Sequence, residues 1–358
     1  MRDTMNIPIN KGNYTMEPPE RDQLFEFYRG ESWEKGYADY RCSWAEYPKR
    51  QYISDYPIHI DLELSTACNL KCPMCYTTTK EFQKNVGARF MEYGLFRKII
   101  DEIAGKSISV RLSLRGEATL HPHFLDCIRY AKEKGIKEVS TLTNGSTLNR
   151  DFFTQAMDAG LDWITISVDG LGETYEKIRK PLRFEDTLQK LRDIKSIKLQ
   201  RNLRKPVIKV QAVWPSIKEN PEAFYNTFAP LADLVAFNPL IDYLGNDNEI
   251  LYEDDFSCCQ LYQRLVIVSD GHALACSNDE DGKLVVGDAN RETIRDIWHG
   301  GPLNSLRDIH RQPNGFMQVP ICKRCYLPRL TDETETAIVN EREIVIKNYV
   351  NREQSVGS

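Results

Sequence analysis

Between residues 58 and 237 the chain alternates a short strand-like run with a helical stretch six times over, an order that few folds satisfy. The strand-like runs are "IHIDLEL" (58–64), "ISVRLSL" (108–114), "KEVSTLT" (137–143), "DWITISV" (162–168), "VIKVQAV" (207–213) and "DLVAF" (233–237). Between them lie helical stretches at 91–104, with apolar spacing at Leu95, Ile99, Ile100 and Ile103, and at "FLDCIRYAKEKG", which Gly135 stops. Others follow at 149–159, 173–180, 184–196 and 221–228. Such alternation implies a parallel sheet with helices outside. Six units are two short of a closed eightfold barrel, so the expected class is α/β, a partial (β/α)6 TIM-like barrel over residues 55–240.

The flanks read differently. Residues 1–54 are polar and aromatic, and Pro18, Pro19 and Pro48 are expected to break any long element, leaving a short helix near "RDQLFEFYRG". From 241 to 330 the texture becomes loop-rich, with a hairpin signal at Asp270-Gly271 between "RLVIVSD" and "HALACS", the mark of a small module stapled by a metal. Residues 331–358 are charged and are expected to form a loose or docking helix. A net charge of −5 points to no nucleic-acid or membrane-surface partner, and neither a signal peptide nor a spanning segment is visible. The expected location is cytoplasmic. Ten cysteines in a reducing compartment then read as metal ligands or catalytic thiols rather than as disulfides.

Three of these thiols crowd "STACNLKCPMCYTT": Cys68, Cys72 and Cys75, spaced C-x3-C-x2-C. A structural zinc needs four ligands, and no fourth Cys or His lies nearby. Cysteines serving as small hydrophobes have little reason to sit beside Asn69, Lys71 and Pro73. A cubane iron–sulfur cluster is normally held by four thiolates, so three leave one iron open for chemistry. The loop also leaves the C-terminal end of the first barrel strand, where barrel enzymes place their active sites.

In these residues the chain resembles the radical S-adenosylmethionine enzymes. The resemblance covers roughly residues 55 to 240. It implies that Cys68, Cys72 and Cys75 bind a [4Fe–4S] cluster whose fourth iron chelates S-adenosylmethionine, and that reductive cleavage yields a 5′-deoxyadenosyl radical which abstracts a substrate hydrogen. Companion motifs stand at later strand ends. "LRGEATLHP" is similar to the family's G-G-E-P stretch at Arg115, Gly116, Glu117 and Ala118, with Arg115 replacing the first glycine and Ala118 the proline. Backbone groups there would meet the ammonium of S-adenosylmethionine. "TNG" (Thr143, Asn144, Gly145) and "ISVDG" (Ser167, Asp169) would hold ribose hydroxyls and the methionine carboxylate, with Arg179 a bidentate partner for that carboxylate. Where the family has an aromatic before the third cysteine this chain has Met74, and Tyr76 follows it as the candidate adenine contact.

A second set, Cys258, Cys259, Cys276, Cys322 and Cys325, resembles a SPASM or twitch auxiliary-cluster domain, in which four thiolates close a second [4Fe–4S] cluster. The register of Leu261 and Tyr262 favours Cys258 over Cys259 as first ligand, while a zinc ribbon built on the same thiols is the bland alternative. The implied enzyme is an oxidoreductase with the auxiliary cluster as electron acceptor, acting on a sugar- or polyol-type small molecule. A radical epimerase, a peptide or protein maturase and a non-enzymatic electron carrier are the alternatives. A flavodoxin- or ferredoxin-type protein is the implied reductant. His121 and His123 read as helix-start residues, Cys127 as a core thiol rather than a hydrogen donor, the basic run 195–205 as solvated surface, and Cys42 is unassigned.

Overall fold

The computed structural model describes residues 5–239, 249–351 and 356. The boundary expected at residue 240 lies outside them. Among the described residues the strands, in chain order, are β1 (Tyr14–Thr15), β2 (His59–Leu62), β3 (Ser109–Arg111), β4 (Glu138–Thr143), β5 (Trp163–Ser167), β6 (Val207–Val213), β7 (Leu234–Asn238), β8 (Arg264–Ile267), β9 (His272–Leu274), β10 (Val285–Asp288), β11 (Thr331–Val339) and β12 (Arg342–Tyr349).

The expected six units are β2 to β7, paired in parallel and in sequential order, so the partial barrel stands. Residues on both faces are buried because helices and core cover them: Val207, Ile208, Lys209, Val210 and Ala212 of β6 are all buried. The helix Tyr93–Ile103 buries Phe96, Ile99, Ile100 and Ile103, whereas Leu95 lies only at the edge of the core. Asn149 and Asn220 cap the helices Arg150–Asp158 and Pro221–Phe228 by accepting the Phe152 and Ala223 amides.

The C-terminal module continues this sheet. β8 pairs in parallel with β2, Ile60 opposite Leu265, and β9 and β10 follow antiparallel, giving one ten-stranded sheet that β1 completes at the β7 edge. Asp61 fastens the junction. Its carboxylate takes Arg111 Nε of β3 at 2.8 Å, Arg264 Nη1 of β8 at 3.1 Å and His59 Nε2 at 2.9 Å.

The flanks depart from expectation. The extension forms two helices, Pro19–Gly30 and Glu34–Arg50. Pro19 occupies the first turn, where no amide is needed. Pro48 lies inside the second helix, and the Trp44 carbonyl that its missing N–H leaves free accepts Gln263 Nε2 at 2.7 Å. The first helix covers the N-terminal ends of the barrel strands. There Arg29, buried, grips Glu138 with Nε and Nη2 at 3.0 Å each and stacks over Trp163 at 4.2 Å. Residues 331–349 form a β-hairpin rather than a helix. Its charges are the outward residues of a two-stranded ribbon, and Asn340 and Glu341 turn it with φ of 48° and 63°.

Candidate functional site

The cysteine loop is a closed excursion from the end of β2. Met91 N returns to the Leu64 carbonyl and Thr66 N to the Arg89 carbonyl, both at 2.9 Å, so residues 65–91 leave and re-enter the barrel at one point. Within it Cys72 is buried, Cys75 half-buried and Cys68 exposed. The Cys75 amide donates to the Cys72 carbonyl at 3.0 Å, and Thr77 Oγ1 lies 3.0 Å from Cys75 Sγ.

Loops from the next strand ends lace onto this one. Gly116, at φ 58°, lies so close that an added Cβ would stand 2.6 Å from the Ser65 carbonyl oxygen. The Glu117 amide donates to the Ala67 carbonyl at 2.8 Å. The Glu117 carboxylate, fully buried, accepts Thr119 Oγ1 at 2.5 Å, Thr143 Oγ1 at 2.7 Å and the Asn144 amide at 2.7 Å. It therefore locks the β3 loop to the β4 loop. Asn144 in turn donates Nδ2 to Asn69 at 2.9 Å and lies 3.8 Å from Cys68 Sγ.

Asp169, beyond β5, accepts the Val213 amide at 2.9 Å with one oxygen and Arg179 Nε at 2.7 Å with the other. Burial pushes the Cys72 thiol up to about 11, and the nearby Arg179 guanidinium pulls against it, which favours the thiolate that a ligand must become. Ser167 ends β5, half-buried, opposite Gln211. The Arg115 guanidinium lies over the Phe82 ring of the loop, 5.6 Å from its centroid. Nε and Nη2 grip Glu63 at 2.5 and 2.6 Å, and Nη1 reaches the Glu280 carbonyl at 3.2 Å, so this position offers the site its backbone. Tyr76 begins the turn after Cys75 and packs its ring edgewise on Phe82 at 5.6 Å.

The second thiol set surrounds a small cavity lined by Cys258, Cys276, Cys322, Cys325, Phe256 and His310 among others. Cys276 follows β9, and Cys322 and Cys325 sit on and just after the helix Pro320–Arg324. Cys259 does not line the cavity; its thiol shares a hydrogen bond with that of Cys258, and both are free cysteines. Burial pushes Cys276 well up, and burial with the neighbouring Cys258 takes Cys325 to about 12. The four thiols hold their protons, and would give them up to solvent on binding a group that thiolates coordinate. Among the described residues no three His, Cys, Asp or Glu converge to hold a single ion. Four thiols around one cavity are the donor set that a cubane iron–sulfur cluster takes.

Several participants escaped the sequence reading: Glu63, Asn69, Thr119, Asn278 and His310. None belongs to a spacing pattern, and each acts through the fold. Asn278 Nδ2 lies 3.3 Å from Cys325 Sγ. His310 accepts the Cys258 amide at 3.3 Å on Nδ1, and burial pushes its ring down to about 4. Two of the residues set aside behave as expected: His121 accepts the His123 amide at the helix start, and Cys127 is a core thiol pushed up by burial. The basic run departs from the solvated surface expected of it, because Lys198 and Lys205 are largely buried and pair with Asp233 and Asp162. No helix among the described residues is long and apolar enough to cross a membrane.

A partial barrel with three thiols at its catalytic face, joined to a four-thiol module on the same sheet, defines a two-centre iron–sulfur protein. Residues 62–208 match the radical SAM superfamily, and residues 258–326 match the SPASM domain, described as an iron-sulfur cluster-binding domain. The chain belongs to the radical SAM superfamily and carries a C-terminal SPASM domain. These matches imply a [4Fe–4S] cluster with S-adenosylmethionine at the first site and auxiliary iron–sulfur chemistry at the second.

The chain is 31% identical over 131 residues to Fe-coproporphyrin III synthase of Methanosarcina barkeri, covering 36% of this chain and 31% of that one. It is 30% identical over 145 residues to the tungsten-containing aldehyde ferredoxin oxidoreductase cofactor-modifying protein of Pyrococcus furiosus, covering 36% and 39%. The chain thus spans about a third of the length of these curated relatives. Among solved structures, BtrN in complex with AdoMet and 2-DOIA is 15% identical with a TM-score of 0.52, covering 82% of this chain and 100% of that one. Native anSMEcpe with bound AdoMet is 14% identical with a TM-score of 0.56, covering 76% and 90%. Both likenesses concern the fold.

Proposed function

We propose that the protein is a radical SAM oxidoreductase that removes a hydrogen atom from a substrate C–H bond, after which the substrate radical loses a proton to solvent and passes its electron to the auxiliary cluster. The observation that carries this reading is the pairing of β2 with β8. β2 leads into the three-thiol loop, and β8 lies between Cys258 and the hairpin that ends at Cys276, so one rigid sheet carries both thiol sets. When bound, the first cluster with S-adenosylmethionine would supply a 5′-deoxyadenosyl radical able to take that hydrogen.

The protein's part is holding and shielding. Cys68, Cys72 and Cys75 would hold three irons. The backbone at Gly116 and Glu117, the Asn144 side chain, Ser167 and the Asp169–Arg179 pair, with Tyr76 beside the loop, would orient S-adenosylmethionine. Cys258, Cys276, Cys322 and Cys325 would hold the second cluster, whose full set of four ligands leaves it electron transfer rather than substrate binding.

Oxidation is favoured over epimerisation because returning a hydrogen needs a placed donor, and Cys127 lies fully buried among Phe124, Ile128 and Ala131 on an outer helix. A small molecule of sugar or polyol type is the substrate class proposed, with a peptide or protein as the alternative. Both substrate kinds occur among proteins of this fold: BtrN was solved with 2-DOIA, and SuiB of Streptococcus suis with its precursor peptide SuiA. A flavodoxin- or ferredoxin-type reductant would deliver electrons past the exposed Cys68, and unpaired thiols throughout suit a cytoplasmic site.

Anaerobically reconstituted protein treated with dithionite should release 5′-deoxyadenosine from S-adenosylmethionine. With its substrate, the product should be lighter by two hydrogens. Absence of cleavage overturns the enzyme reading; a product of unchanged mass that gains solvent deuterium indicates an epimerase.

A further inference from the structure

We propose that His310 donates an N–H···S hydrogen bond to Cys322 and thereby raises the reduction potential of the auxiliary cluster, an inference that rests on the auxiliary-cluster reading of that cavity. His310 ends the helix Gly301–His310, is fully buried, and meets the Phe256 ring edgewise at 6.3 Å. Its two ring nitrogens face two different candidate ligands. Nδ1 accepts the backbone N–H of Cys258 at 3.3 Å, and Nε2 lies 3.5 Å from Cys322 Sγ.

The first bond decides the second. A nitrogen that accepts an N–H carries no proton, so in the neutral ring the proton sits on Nε2 and points at sulfur. The same assignment separates this role from ligation. A histidine ligand binds through a bare lone pair, and here the Nδ1 lone pair is occupied by Cys258 while Nε2 is protonated. His310 is therefore a positioning residue acting through Cys322.

The energetic consequence follows from charge. Reducing a four-thiolate cluster adds a negative charge that is shared onto the sulfurs, and an N–H donor to sulfur stabilises that state more than the oxidised one. The donor set is distributed over the ligands. Cys325 receives Asn278 Nδ2 at 3.3 Å and the Leu327 amide at 3.4 Å, and His310 serves Cys322. A higher potential suits a centre that must accept an electron from a substrate radical.

The test uses full-length protein carrying C68A, C72A and C75A, in which only the auxiliary site can load, with the midpoint potential read by redox titration of the reduced cluster's electron paramagnetic resonance signal. Adding H310F should shift the midpoint to more negative values. H310Q, which keeps a donor near the same place, should restore most of that shift. Labelling the native-His310 protein with 15N-histidine should add a 15N coupling to the reduced signal, a readout that does not depend on any His310 variant folding. Equal midpoints for H310F and the parent, or no 15N coupling, overturn the role of His310. A triple-alanine protein that takes up no iron would instead overturn the auxiliary-site reading, and the proposal with it.

Discussion

A Cβ placed on Gly116 would stand 2.6 Å from the Ser65 carbonyl oxygen and 2.8 Å from that of Ala67, so the β3 loop and the cysteine loop meet backbone to backbone. Contacts that short with carbonyl groups cannot be relieved by turning a side chain, and φ of 58° is itself unfavourable for an L residue. Gly116→Ala should cost at least about 2 kcal/mol, combining the two effects. The cysteine loop should be displaced first. Iron bound at the first site should fall while auxiliary iron is retained, as read by iron analysis of reconstituted protein; unchanged iron and melting temperature would count against the contact.

The two thiol sets are separable by substitution. Reconstituted protein should hold about eight irons from two cubanes. Cys68→Ala, Cys72→Ala or Cys75→Ala should each leave about four and abolish 5′-deoxyadenosine release, because the loop has no spare thiol. Cys276→Ala or Cys325→Ala should also leave about four, yet keep cleavage and lose product. Cys259→Ala should retain all of the iron, since Cys259 does not line the cavity. Loss of the auxiliary cluster in Cys259→Ala alone, with Cys258→Ala intact, would exchange their roles.

What the sequence revealed and what it hid divide along physical lines. The six barrel strands were legible to within a few residues because each is a short run that interleaves apolar with polar residues, such as "IHIDLEL" for β2, although the fold buries His59, Asp61 and Glu63 as well. The thiol sets were legible because cysteine spacing is local. The hairpin at 331–349 was missed because outward Thr, Glu and Lys residues look like a charged tail until two strands pair. The helix Glu34–Arg50 was missed because Pro48 is tolerated only through Gln263, more than two hundred residues away. Arg115 shows the same limit: its place in a glycine-like motif says nothing of Glu63, its partner across the strand ends.

That Pro48–Gln263 relationship predicts non-additive energetics. Gln263→Leu leaves the Trp44 carbonyl buried without its donor, a loss of about 1–3 kcal/mol. In a Pro48→Ala background the residue-48 amide can donate to the same carbonyl in the ordinary helical pattern, so Gln263→Leu should cost markedly less there. Denaturant unfolding of the four proteins reads the coupling directly. Equal costs in the two backgrounds would mean that Gln263 matters for reasons other than the proline.

Asp61 predicts how acid should act on the junction between barrel and module. Burial alone would push its carboxyl up, but the Arg111 and Arg264 guanidiniums and His59 outweigh burial and hold it well below the usual carboxylate range. A folded value below the unfolded one, near pH 3.9, means a stabilisation fully present above about pH 4 and lost as the pH falls further. Asp61→Asn leaves two neighbouring guanidiniums without their shared anion. Arg111 is 30% exposed and partly screened, so the cost near pH 7 should be roughly 1–4 kcal/mol. The gap between wild type and Asp61→Asn should narrow as the pH falls below about 4, in urea unfolding followed across that range. Because Arg264 lies in β8, amide exchange in 264–274 should accelerate more in the variant than exchange in β5 or β6. A gap that does not narrow in acid would show that the Asp61 charge is not what joins the two parts of the sheet.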